Sequence, residues 1–131
     1  LDGKFEPNAV LQIKNGPIDF QVREPISPSF LRLPNTPTAC EVMITQEYLG
    51  QQHHTVYEVP WWQSQVSDED ALAKIKESGF VAVCGVGRSE NWLANDLAQA
   101  NLYGFGKFAW NPRLDPRATA GRWASLTFGP T

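Results

Sequence analysis

Between residues 17 and 37 the chain carries five prolines, Pro17, Pro25, Pro28, Pro34 and Pro37. Each removes a backbone donor and turns its predecessor away from helical geometry, so no long regular helix can form there. On either side lie runs that read as strands: Val10-Leu11-Gln12-Ile13-Lys14-Asn15 before it, and Glu41-Val42-Met43-Ile44-Thr45-Gln46-Glu47 after it. The crossover between them is expected to be mostly loop, with a short helical turn near Ser29–Leu33.

Downstream, Tyr48–His54 leads into an extended piece to Val59, which Pro60-Trp61-Trp62 ends. Ser67 reads as an N-cap, with Asp68, Glu69 and Asp70 filling the first turn, where exposed N–H groups favour negative charge. Ala71, Leu72 and Ile75 form an apolar stripe at helical spacing, and Gly79 suits the residue just past a helix end, so a helix is expected over 68–78. Phe80-Val81-Ala82-Val83-Cys84 is a continuous apolar run, as in a strand covered on both faces. Ser89 caps a helix expected over 90–108, with Leu93, Leu97 and Ala100 on one side and Gly104 and Gly106 weakening its end. Asn111-Pro112 breaks the chain. Asp115-Pro116 restarts it as an N-cap with proline at the first helical position, and Ala120, Trp123, Ala124 and Thr127 form the inner face of that last helix.

Strands alternating with crossovers and helices imply an α/β fold with a parallel sheet. Three such strands alone would expose their edges. They suit the last part of a (β/α)8 barrel, a fold of about 250 residues whose active site lies at the C-terminal strand ends. Asp19, Glu47 and the Gly85–Ser89 loop all fall at that end.

The net charge is −3 and the basic residues are scattered, which argues against nucleic acid as a partner. No apolar run approaches the roughly 20 residues of a membrane span, so no membrane partner is expected either. No signal peptide is visible, and because residue 1 is Leu the chain is expected to be truncated, which leaves compartment open. Cys40 and Cys84 read as small buried hydrophobes, with a disulfide as the alternative. Five tryptophans suit either a sugar-binding surface or core packing.

Asp19, in the turn leaving the first strand, and Glu47, ending the second, could form the pair of acids that glycoside hydrolysis uses. By alternation Glu47, Thr45 and Met43 share one face of their strand. The alternatives make Asp19 an Asx-turn residue and Glu47 an ion-pair partner of Lys14 or Arg23. Lys14, a long cation at a strand exit, could grip a substrate carboxylate or bridge to one of those acids. Gly85-Val86-Gly87 opens like a dinucleotide fingerprint, but Glu90 occupies the third glycine's place, so the glycines are better explained by a tight turn. His53 and His54 are adjacent and would face opposite ways on an extended chain. No metal or cofactor is expected.

The strings Gln12–Pro25 (QIKNGPIDFQVREP) and Ile44–Gln52 (ITQEYLGQQ) resemble the α-glucuronidases of glycoside hydrolase family 67. Asn91-Trp92-Leu93, Ala98–Gly106 (AQANLYGFG) and Ala109-Trp110-Asn111-Pro112 agree with the same pattern. The resemblance implies the C-terminal part of a (β/α)8 catalytic domain over residues 1–110, and the start of a C-terminal helical region over 111–131. It implies removal of glucuronic acid, or its 4-O-methyl ether, linked α-1,2 to xylose in glucuronoxylan-derived oligosaccharides, with inversion. Asp19 and Glu47 match the acids flanking the attacking water, and Lys14 matches the lysine that binds the uronic carboxylate. The proton donor would be a glutamate on an earlier barrel strand. The implied partners are the oligosaccharide substrate and the remainder of the barrel, with homodimerisation of the full-length enzyme left open.

There are departures. Cys84-Gly85 stands where the family pattern has Ala-Asn, Asn95-Asp96 replaces a His-His pair, His53 replaces Arg, and the Trp62–Phe80 connection is altered. The rival readings are a non-catalytic carbohydrate-binding module built as a β-sandwich, and a nucleotide-binding α/β domain using Gly85 and Gly87.

Overall fold

A parallel ladder of three short strands organises the first part of the molecule. The computed structural model describes residues 1–16, 25–44, 56–84 and 97–130. In it β1 (Leu11–Lys14), β2 (Thr38–Met43) and β3 (Phe80–Val83) form one sheet in the order β1-β2-β3. Both pairings are parallel, with Leu11 opposite Thr38, Lys14 opposite Glu41, Cys40 opposite Phe80 and Met43 opposite Val83. Neither the β-sandwich of the rival module nor any antiparallel pairing is present among the described residues.

The proline-rich crossover holds a single turn, α1 (Ser29–Arg32), as its composition requires. Strand β2 begins at Thr38, three residues earlier than the alternating pattern suggested. Thr38, Ala39 and Cys40 take part in the ladder against Leu11, Gln12 and Ile13, and Leu11 N–H donates to Pro37 C=O at 2.8 Å. Ile44 lies just beyond the strand and is buried.

Helix α3 (Glu69–Lys76) falls within the expected 68–78, but its cap is Asp68 rather than Ser67. The Asp68 carboxylate accepts from Ala71 N–H at 2.9 Å, satisfying one of the unpaired donors of the first turn. The helix buries Ala71, Leu72 and Ile75 and packs on β2 and α1. Gly79 takes φ +90°, a left-handed conformation that favours glycine. Its N–H donates to Ile75 C=O at 2.6 Å, and its C=O accepts from Cys40 N–H at 3.1 Å, so one residue ends the helix and opens the β2·β3 ladder. Strand β3 is half-buried along its length, not covered on both faces as expected.

A second group of elements is built from helices. Val59–Gln65 is a helix, α2, where an extended piece ending at Pro60 was expected. Proline is tolerated in a helix's first turn, because the N–H it lacks would be unpaired there in any case. Helix α4 (Gln99–Trp110) starts later than the expected 90–108, of which residues 90–96 lie outside the described residues. Gly104 and Gly106 sit in its interior rather than at its end. Helix α5 (Pro116–Phe128) begins as expected, with the Asp115 carboxylate accepting from Arg117 N–H at 2.9 Å and Ala118 N–H at 3.1 Å. Of its expected inner face Trp123 is buried, Ala120 and Ala124 are half-buried and Thr127 is exposed.

The chain divides into two compact units, residues 1–43 with 64–83, and residues 44–63 with 84–131. Within the first, the Asp2 carboxylate accepts from Asn35 N–H, Asn35 Nδ2 and Thr36 Oγ1, latching the N-terminal residues to the turn before β2. Cys40 and Cys84 form no disulfide. No described helix is long and apolar enough to cross a membrane.

Candidate active site

In a parallel ladder, residues opposite each other point to the same face. The register therefore sorts the sheet into two faces. Thr38, Cys40 and Val42 lie on one, at 0%, 0% and 1% exposure. Gln12, Lys14, Glu41, Met43, Val81 and Val83 lie on the other, where Gln12 is exposed and Lys14, Glu41, Val81 and Val83 are only half-buried. The contrast is confined to the middle strand: Leu11, Ile13, Phe80 and Ala82 on the first face are half-buried, Ala39 and Met43 on the second are buried, and the second face is the one that carries the charged Lys14 and Glu41.

Lys14 is the last residue of β1 and sits on that second face opposite Glu41. Because all three strands run the same way, their C-terminal ends lie at one edge of the sheet. Lys14 shares that edge with Met43 and Val83. It also shares the face of Met43, the face expected for Glu47. Asp19 and Glu47 themselves lie outside the described residues, as do Arg23, His53, His54, Gly85, Gly87, Ser89, Glu90 and Trp92.

Two residues missed by the sequence reading stand beside Lys14. Glu41 puts a carboxyl on the same face, and its negative charge adds to the burial that pushes the Cys40 thiol up to about 12. Asn15 is 1% exposed, and neither atom of its side-chain amide finds a hydrogen-bond partner. Its backbone is fully used: its N–H donates to Glu41 C=O at 2.9 Å, and its C=O accepts from Ser27 N–H at 3.0 Å. The stretch carrying Asp19 therefore leaves and returns at a single pinned point. An asparagine directly before Gly-Pro at a strand end is a turn signal that could have drawn attention to it.

The tryptophans divide. Trp62 is fully buried, with its ring 6.1 Å from Phe105 and 5.7 Å from Phe108, so it is a core residue and not a stacking platform for sugar. Trp110 is 92% exposed. A cavity of about 480 Å³ is lined by Tyr57, Ala100, Arg117, Trp123 and their neighbours, and it includes none of the expected site residues. Burial, with the nearby Tyr103 adding, pushes the Tyr57 phenol up to about 12, and its buried hydroxyl has no hydrogen-bond partner among the described residues. Among the described residues no group of three His, Cys, Asp or Glu is arranged to hold a metal ion.

A three-stranded parallel sheet with helices defines an α/β protein. Residues 1–93 match the model of the glycosyl hydrolase family 67 middle domain, and residues 93–131 match that of the glycosyl hydrolase family 67 C-terminus. The chain belongs to glycoside hydrolase family 67. It is 47% identical to a protein of Aspergillus fumigatus named probable alpha-glucuronidase A and 45% identical to the alpha-glucuronidase of Hypocrea jecorina. It is 44% identical to alpha-glucuronidase A of Emericella nidulans. Each alignment runs over 144 residues and covers 98% of this chain. The chain spans 17% of the length of these relatives. Since 144 aligned positions exceed its 131 residues, the relatives hold residues that this chain lacks.

Proposed function

We propose that these residues form the closing strands of a (β/α)8 catalytic barrel, residues 1–110, and the start of a helical region, residues 111–131, in an inverting α-glucuronidase. The bond cleaved is the α-1,2 link between (4-O-methyl)glucuronic acid and xylose in glucuronoxylan-derived oligosaccharides. The observation that carries this reading is Lys14, at the C-terminal end of a parallel strand on the sheet's partly open face, in a family 67 chain. A half-covered face is what neighbouring barrel strands present before the other strands close around them. The division at 110/111 follows the break at Asn111-Pro112, where α4 ends.

In this reading Lys14 holds the uronic carboxylate and orients the sugar. A water attacks the anomeric carbon from the face opposite the leaving xylose, and Asp19 or Glu47 takes its proton as the C–O bond breaks. A glutamate on an earlier barrel strand protonates the departing oxygen. Inversion needs room for that water, roughly 6.5–9.5 Å between acid and base carboxyls. The polar contacts made to the uronate carboxylate are the source of specificity, because a neutral hexose has no carboxylate to accept a charge-assisted hydrogen bond from the Lys14 ammonium.

The test uses a full-length family 67 enzyme that contains these residues. Asp19→Ala and Glu47→Ala should each lower kcat on aldouronic acids by orders of magnitude, with the thermal midpoint little changed. Near-normal turnover by both would remove the assignment. Lys14→Ala should chiefly raise KM for uronic substrates, and an unchanged KM would remove the carboxylate-binding role. The 131 residues alone should release no glucuronic acid.

A further inference from the structure

Strand β2 is buried at every residue but one, Glu41. A charge set into an otherwise dry strand loses hydration that its surroundings must make good. The register shows what stands beside it: Glu41 is opposite Lys14 in the parallel β1·β2 ladder, on the same face, and both are half-buried. Neighbouring strands run about 4.8 Å apart, so the two side chains leave the sheet at about that separation. The rung is fixed, because Asn15 N–H donates to Glu41 C=O at 2.9 Å. The Glu41 charge is also felt beyond its own side chain: burial is the main cause that raises the Cys40 thiol, and Glu41 is the second.

We propose that Glu41 sets the strength of the uronate site: its negative charge offsets that of Lys14, so the site takes a sugar carboxylate without holding on to the released sugar acid. This deepens the reading of Lys14 as the ligand of the uronate carboxylate, and it rests on that reading. The argument is a balance of charges. In a partly buried place Coulomb attraction is several times stronger than in water, and Lys14 alone would exert it on substrate and product alike, since both carry the same carboxylate. Equal tightening of both lowers KM without raising the rate of the chemical step, and it delays departure of the product. A fixed carboxylate across the rung repels the incoming one and so weakens both complexes. No contact with the sugar is assigned to Glu41.

The experiment measures product inhibition in a full-length family 67 enzyme that contains these residues, with aldouronic acid as substrate and glucuronic acid as inhibitor. Glu41→Gln keeps the shape and removes the charge. It should lower both KM for aldouronic acid and Ki for glucuronic acid by about threefold to thirtyfold, the range for two like charges several ångströms apart in a partly solvated site. The gain should shrink as salt is added. A residue that merely supported the fold or steered Lys14 would give the opposite sign, weaker binding in the variant, so raised or unchanged KM and Ki overturn the proposal. So does a gain that salt leaves untouched. Lys14→Ala is measured alongside. Raised KM and Ki there uphold the reading beneath the proposal, whereas unchanged values defeat that reading, and the proposal with it, whatever Glu41→Gln does. Should Glu41→Gln fail to fold, Glu41→Met, similar in length and uncharged, takes its place with the same expected sign and the same overturning result.

Discussion

The sheet-bearing unit, residues 1–43 with 64–83, and the helical unit, residues 44–63 with 84–131, achieve order by different means. In the first, backbone answers backbone: β1 pairs β2, β2 pairs β3, and Asn15 and Gly79 extend the ladder into the turns. Such pairing is indifferent to side-chain identity so long as one face stays apolar. In the second, side chains do the same work on a template helix. Asn101 Oδ1 accepts from Glu58 N–H at 2.9 Å and its Nδ2 donates to Val56 C=O at 2.7 Å, Gly104 has no room for a Cβ, which would stand 2.5 Å from Val59 Cγ2, and Gln63 Nε2 ties α2 to the turn between α4 and α5 by donating to Pro112 C=O and Leu114 C=O at 2.8 and 2.7 Å. The lesson is that the ladder tolerates sequence change where the template does not.

The largest effect should separate two glycines of one helix. Gly104→Ala must push a methyl into Val59, an overpacking cost of about 1–3 kcal/mol. Gly106→Ala meets nothing within 4 Å and should be stabilising by up to about 1 kcal/mol through helix propensity and a less free unfolded chain. Urea midpoints of the two variants decide it, and a loss of equal size at both positions would break the template picture. Next in size are the caps, one in each unit. Asp68→Ala and Asp115→Ala should each destabilise by about 1 kcal/mol, since each carboxylate satisfies first-turn donors of its helix. Here the units should behave alike.

The smallest effect concerns the N-terminal latch. Burial works to raise the Asp2 carboxyl, but hydrogen bonds from Thr36 and Asn35, with the Lys74 charge, outweigh it and hold the group below its ordinary 3.8. A lowered value means the latch is fully present above 3.8 and is lost as pH falls through the lower folded value. The protection of the Gly3 and Asn35 amides, which donate to Thr36 Oγ1 and Asp2, measured as hydrogen exchange relative to the intrinsic rate at each pH, should fall on acidification below that point. It should do so while the β2 amides stay protected, and simultaneous loss at both would sharpen the comparison against the latch.

How far the sequence disclosed this molecule depends on which kind of order is at issue. The three strands, the short turn in the proline-rich crossover, the α3 stripe and the Asp115-Pro116 start of α5 were legible because local chemistry dictates them. Helix α2 was not, because Pro60 followed by two tryptophans reads as a stop unless one knows that Phe105 and Phe108 await Trp62 forty-odd residues away. The early start of β2 is likewise a tertiary matter, decided by its partner β1 rather than by alternation within 38–43. Ser67 and Asp68 are adjacent cap formers, and only the bond to Ala71 N–H chooses between them. At the candidate site Lys14 was legible as a strand-end cation, whereas Glu41 and Asn15 were passed over: one pairs across a ladder, and the burial of the other arises from its surroundings. Asp19 and Glu47 were legible as acids in a family pattern, and their roles stand as proposals.

Gly79 carries a further consequence. The same residue closes α3 through its N–H and begins the contact between β2 and β3 through its C=O, so the helix and the strand after it have no slack between them. Melting of the helix end would tug directly on the Cys40 amide, and the two elements should open and close as one cooperative piece. Any lengthening of the chain in this unit would have to be accommodated somewhere other than at this joint.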